Sequence, residues 1–145
     1  LETNLLVART EVKVRFCEVD AMGIVWHGNY LKFFEDGRDA FGKEFDLDFV
    51  DLYNSQGYLT PIVTVNCDYK RPLRLQEKAI IETTFVPTEA AKIIFDYKIF
   101  RDTSSGSELL TSGRTIQVFL KNGELSITNP DCYQQWKEKW LYKKG

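Results

Sequence analysis

The chain has 145 residues and a mass of 16.9 kDa, enough for one sizeable core, and it is read as a single domain over residues 1–145. Its 43% hydrophobic, 28% charged and 14% aromatic content is that of a globular domain and excludes a disordered tail. With 19 Lys+Arg against 21 Asp+Glu the net charge is −2 and the signs are interspersed, which disfavours a nucleic-acid binder; no run of about 18 apolar residues suggests a membrane-spanning helix.

Residues 11–16 read Glu-Val-Lys-Val-Arg-Phe, and the alternation of Val12, Val14 and Phe16 with charged residues predicts a half-buried strand. Residues 17–27 break this pattern. From about Asn29 to Phe45 the period changes: Leu31, Phe34, Phe41 and Phe45 follow one another at intervals of 3, 7 and 4, a helix with a wide apolar stripe. Asn29 or the Asp20 region could cap its start. A short irregular or helical piece at about 48–56 ends at Gly57. Four strands are predicted at 61–71, 78–87, 92–102 and 108–121. Pro72 and Pro87 fall at strand ends, and Thr103-Ser104-Ser105-Gly106 and Asn122-Gly123 read as turns. Residues 129–142, opening on Asn129-Pro130-Asp131 and carrying Trp136 and Trp140, predict a short final helix.

One long helix cannot cover both faces of a parallel sheet, so the class is α+β with an antiparallel sheet burying one face against the helix. The aromatics outnumber what one helix can cover, which points to burial against another subunit. Three scattered cysteines, Cys17, Cys67 and Cys132, without a C-x-x-C, read as reduced thiols. No basic-then-apolar leader opens the sequence, and the cytoplasm is the expected compartment. His27 is the only histidine, so a zinc site of several imidazoles within one chain is excluded. No Gly-rich nucleotide loop is present either, and neither a metal nor a cofactor is expected.

The informative stretch is residues 15–38. It places Asp20, His27, Asn29 and Glu35 among apolar residues around a strand-to-helix junction. A helix start offers free N–H groups and a positive dipole end. A carbonyl polarised by such amides, with an acid or base nearby, meets the requirement of acyl transfer.

The pattern Arg15-Phe16-x-Glu18-x-Asp20-x-x-Gly23-x-Val25-x-His27-x-Asn29-Tyr30, followed by Phe34-Glu35 and Arg38, resembles the acyl-CoA thioesterases of the hotdog fold, in the branch around the 4-hydroxybenzoyl-CoA thioesterases. Tyr69-Lys70-Arg71-Pro72-Leu73 falls where such proteins keep a similar turn, whereas Leu75-Gln76-Glu77-Lys78 lacks the family's Gly-Asp. The resemblance implies a long antiparallel β-sheet curled around one central helix, assembled as a homodimer or homotetramer. It implies that Asp20 is the catalytic carboxylate, as general base or as nucleophile. His27 would stand at the mouth of the helix, where its N–H or that of Gly28 polarises the thioester carbonyl. Gly28, Tyr30, Lys70 and Arg71 become candidate substrate contacts, the last two for the phosphates of coenzyme A.

Blander readings stand beside these. Asp20 could only close a turn, His27 could be an inert side chain, and Tyr30 and Glu35 could be structural, Glu35 as the (i, i+3) partner of Arg38. Cys17, three residues from Asp20, has no second histidine to activate it. The expected reaction is hydrolysis of an acyl-CoA to free coenzyme A and a carboxylic acid. An acyl-carrier-protein thioesterase and a non-enzymatic acyl-CoA binding module of the same fold are the alternatives, with a hotdog dehydratase more distant.

Overall fold

The computed structural model describes residues 2–143. The apolar stripe after Asn29 forms helix α1 (Tyr30–Phe45), which ends where Asp46 turns left-handed at φ 56°. Its buried stripe is Tyr30, Phe33, Phe34, Gly37 and Phe41, while Leu31, counted in the stripe by spacing alone, is 42% exposed. A Cβ at Gly37 would run into Thr83 and Ile81, so glycine lets the helix lie this close to the sheet. The short helix α2 (Phe49–Gln56) follows; Asp48 caps it by accepting from the N–H groups of Val50 and Asp51, and Gly57 ends it in a left-handed turn.

The strands are β1 (Val7–Lys13), β2 (Ile62–Tyr69), β3 (Lys78–Val86), β4 (Lys92–Thr103) and β5 (Gly106–Val118). They form one antiparallel sheet in the order β1-β3-β4-β5-β2, with Phe85 opposite Phe95, Tyr97 opposite Gly113 and Cys67 opposite Gly113. Two short strands, β6 (Leu120–Lys121) and β7 (Glu124–Leu125), make a separate hairpin where the sequence suggested one strand running to 121. Helix α3 (Asp131–Trp140) closes the core at the far end of α1: Trp136 donates through Nε1 to the Phe45 carbonyl at 2.7 Å and packs with Phe41 and Phe85. Phe41 is fully buried against Phe85 and Phe95.

The architecture corrects the expectation of a sheet curled around the helix. The sheet is α+β and antiparallel but open, with β1 and β2 as separate edges. Helix α1 packs chiefly on β1 and β3, reaches β4, meets β5 where Phe34 lies on Gly113, and leaves most of β2 exposed. One helix of this width covers about three strands, because strands lie about 4.8 Å apart and a helix is about 10 Å across. On β2 no residue is fully buried, and Ile62, Val63, Val65 and Tyr69 are all exposed. The first strand also begins earlier than its alternation suggested: Val14 is buried just beyond its end, and Phe16, 81% exposed, belongs to a short 3-10 turn. No helix among the described residues is long and apolar enough to cross a membrane.

Candidate active site

The chain between β1 and α1 is held by one buried carboxylate. Glu18, 5% exposed, accepts from the Arg15 N–H at 2.8 Å, and its own backbone carbonyl accepts from the Trp26 N–H at 3.0 Å and from Asn29 Nδ2 at 2.8 Å. Asn29 thus does not cap α1 through its side chain; it ties the helix start to the Glu18 turn. Between these anchors runs a miniature hairpin, closed by a Val19–Val25 bridge, with Asp20 N–H donating to the Ile24 carbonyl at 2.8 Å. Asp20 and Gly23 form its tip. The Gly23 N–H donates to the Asp20 carbonyl at 3.0 Å, and the Met22 N–H donates to Asp20 Oδ1 at 2.8 Å. This Asx turn fixes the carboxylate and leaves its second oxygen without a hydrogen-bond partner among the described residues. The hairpin rests on the segment after β2, through Val25 N–H to the Leu73 carbonyl and Leu75 N–H to the Gly23 carbonyl.

After Trp26, a 3-10 turn over His27–Asn29 feeds into α1. The backbone N–H groups of His27 and Gly28 have no hydrogen-bond partner among the described residues. Such orphan donors are expected at a helix start. Gly28 leaves room for the half-exposed Trp26 indole, which a Cβ there would displace. The His27 imidazole is exposed and tilts against the Trp26 ring at 4.8 Å. Tyr30, only 3% exposed, packs edge-on against Tyr69 at 5.0 Å, and burial raises its hydroxyl above the usual phenol range. Asp36, nearly two turns further along, is also raised, first by desolvation and then by the charge of Glu18.

Tyr69 is the residue that sequence reasoning passed over. It is half exposed, yet its hydroxyl turns inward and donates to the His27 carbonyl at 2.7 Å, bridging 42 positions of sequence. Its pKa is pushed up to about 12, chiefly by loss of hydration and then by the Cys67 thiol, so it stays a donor across the neutral range. The only sequence signal was its place just before Lys70-Arg71. Those two follow β2 directly and donate their N–H groups to the Leu110 carbonyl. The Lys70 side chain is exposed. The Arg71 guanidinium pairs with Glu108 at 3.1 Å, which also holds Arg101, and Arg101 in turn holds Glu77 at 2.9 Å.

Glu35 and Arg38 lie beyond this cluster as the expected (i, i+3) pair, 3.7 Å apart. The Arg38 side chain is 13% exposed and its charge acts on Tyr97, whose hydroxyl meets Thr115 Oγ1 at 2.6 Å. Cys17 is exposed. No group of three or more His, Cys, Asp or Glu among the described residues could hold a metal ion. The junction therefore joins a fixed, half-free carboxylate to two unengaged amides at a helix start. Chemically these are a proton acceptor or nucleophile and a pair of donors for a developing oxyanion.

Comparison with known proteins identifies the family of the chain. The family model of the thioesterase-like superfamily matches residues 14–136. The Bacillus subtilis protein YneP, provisionally named an acyl-CoA thioesterase, is 36% identical over 106 residues, covering 73% of this chain and 76% of its own. A DHNA-CoA thioesterase structure from Staphylococcus aureus is 28% identical with a TM-score of 0.78, covering 91% of this chain and 87% of its own. The 4-hydroxybenzoyl CoA thioesterase of Pseudomonas sp. strain CBS-3 shares the fold at 24% identity and a TM-score of 0.77, covering 90% of this chain and 98% of its own. The chain belongs to the thioesterase-like superfamily and is a hotdog-fold thioesterase related to the 4-hydroxybenzoyl-CoA thioesterase-like branch.

Proposed function

We propose that this protein hydrolyses an acyl-CoA thioester, releasing free coenzyme A and a carboxylic acid. The observation that carries the reading is the junction itself: Asp20, with one oxygen held by Met22 and one unengaged, sits on a hairpin that leads directly into the turn bearing the unpartnered N–H groups of His27 and Gly28. Family membership and the resemblance to YneP support it.

The thioester carbonyl oxygen accepts from the Gly28 and His27 amides, whose donor strength grows as the oxygen gains charge. Asp20 then acts by one of two routes. As general base it takes a proton from water while the hydroxide adds to the carbonyl carbon. As nucleophile its free oxygen adds directly and gives a mixed anhydride that water opens. In both routes the carbon–sulfur bond breaks and the thiolate of coenzyme A leaves and is protonated. The exposed His27 imidazole orients substrate or water. Lys70 and Arg71 face the coenzyme A phosphates; Arg71 is shared with Glu108, so Lys70 carries more of that contact. Tyr30, being buried, contributes through the Tyr69 ring it supports. Hydrolysis by this route needs no cofactor and no metal.

The same reading makes residues 1–145 one catalytic domain acting as a homodimer or homotetramer, with the exposed β2 edge as the seam between copies. Three unpaired cysteines fit a cytoplasmic setting. The test is free-thiol release across short, long and aromatic acyl-CoAs with folded protein. Release from at least one substrate is expected; none above background would promote the binding-module reading instead.

A further inference from the structure

We propose that Tyr69 is a positioning residue: its hydroxyl holds the His27–Gly28 peptide so that the Gly28 N–H faces the reacting carbonyl. The inference rests on the thioesterase reading above.

A trans peptide is planar, and its C=O and N–H point in opposite directions. A hydroxyl fixed on the His27 carbonyl oxygen at 2.7 Å therefore fixes the direction of the Gly28 N–H, on the other side of the same peptide unit. The clamp is itself anchored. Tyr69 sits opposite Thr111 in the β2–β5 ladder, and its ring packs edge-on at 5.0 Å against Tyr30, the buried first residue of α1. At this hydroxyl β2 is tied to the turn that starts α1. Nothing else on the His27 side chain can do this work, since the imidazole is exposed and engages only the Trp26 ring. Donation to the carbonyl also polarises the peptide and strengthens the N–H as a donor. The contribution is larger in the transition state than in the bound thioester, because the oxygen gains charge as the carbon becomes tetrahedral. A merely structural tyrosine would act on stability; this one acts on turnover.

The experiment is Tyr69→Phe, which keeps the ring and removes the hydroxyl. Two readouts are taken on the full chain. In a triple-resonance spectrum that correlates each amide with the preceding carbonyl, the Gly28 amide nitrogen and the His27 carbonyl carbon are expected to shift upfield, as hydrogen bonding to that carbonyl is lost. In thiol release, kcat is expected to fall roughly ten- to a hundredfold with KM changed less than about twofold, a milder loss than removing an oxyanion donor outright. Unmoved Gly28 and His27 resonances would overturn the proposal, as would unchanged kcat in a preparation whose parent hydrolyses acyl-CoA, or a rise in KM alone. A parent chain that hydrolyses no acyl-CoA would instead bring down the thioesterase reading, and this inference with it.

Discussion

At the residue scale the proposed reaction relies on main-chain donors as much as on side chains. His27 shows the distinction. If its backbone N–H and that of Gly28 do the polarising, His27→Ala keeps both amides and loses only the exposed imidazole. The expected result is a fall in kcat/KM of roughly tenfold, well short of the loss expected from the general acid–base group. A loss as deep as that of Asp20 variants would make the imidazole the principal catalyst. Gly28→Ala is expected to act through the Trp26 indole, which the new Cβ displaces from its place beside the donor turn; steady-state thiol release of the two variants side by side compares that loss with the loss of the imidazole. Asp20, His27 and Gly28 were legible in the sequence because they lie within nine positions of one another and their spacing matches a family pattern. Tyr69 was not, because its contact with His27 depends on how β2 is laid beside β5 and how both approach α1.

At the scale of elements, α1 and its neighbours were the most legible, since a 3.6-residue apolar period survives in any context. Its buried face was read less well. Arg38 lies under the helix beside Tyr97, because only the sheet's own residues decide which flank of α1 is covered. Tyr97, 1% exposed and stacked on Phe34 at 4.3 Å, carries a pH consequence. Burial pushes its pKa up to about 12, against the opposing charge of Arg38, so the folded state holds this proton more tightly than the unfolded chain. The stabilisation is complete below the ordinary phenol value near 10 and is lost as pH rises through about 12. Urea midpoints are expected to stay flat from neutral pH to about 9.5 and then fall steeply, and Tyr97→Phe should soften the fall. An unchanged alkaline slope in that variant would mean that other tyrosines set it, among them Tyr133, also raised by burial.

At the scale of the whole molecule, the sheet's shape was the least legible feature. Alternation says that a strand has two faces but not whether the sheet closes over its helix. The open sheet leaves β2 as an edge with Ile62, Val63 and Val65 in solvent, an arrangement that soluble proteins seldom leave unpaired. A second copy pairing along β2 would cover that edge and bring two junctions to one seam. Light scattering at micromolar concentration is expected to give at least twice 16.9 kDa. Val65→Lys, placing a charge on the seam opposite Thr115, should shift the mass toward the single chain while circular dichroism stays native. A single-chain mass for the parent protein would contradict the assembly.

In the proposed reaction a carboxylate at the hairpin tip and amides at the start of α1 act together on an acyl-CoA. Asp20→Asn tests it most directly. The amide oxygen can still accept from the Met22 N–H, so the Asx turn and the hairpin persist while the charge and the proton acceptor are gone. Thiol release by parent and variant, on the best substrate of an acyl-CoA panel and with matched circular dichroism, is the measurement. In Asp20→Asn, kcat is expected to drop by roughly two to four orders of magnitude with the fold intact. Parent-like turnover in Asp20→Asn would contradict this and move the catalytic carboxylate to Glu35.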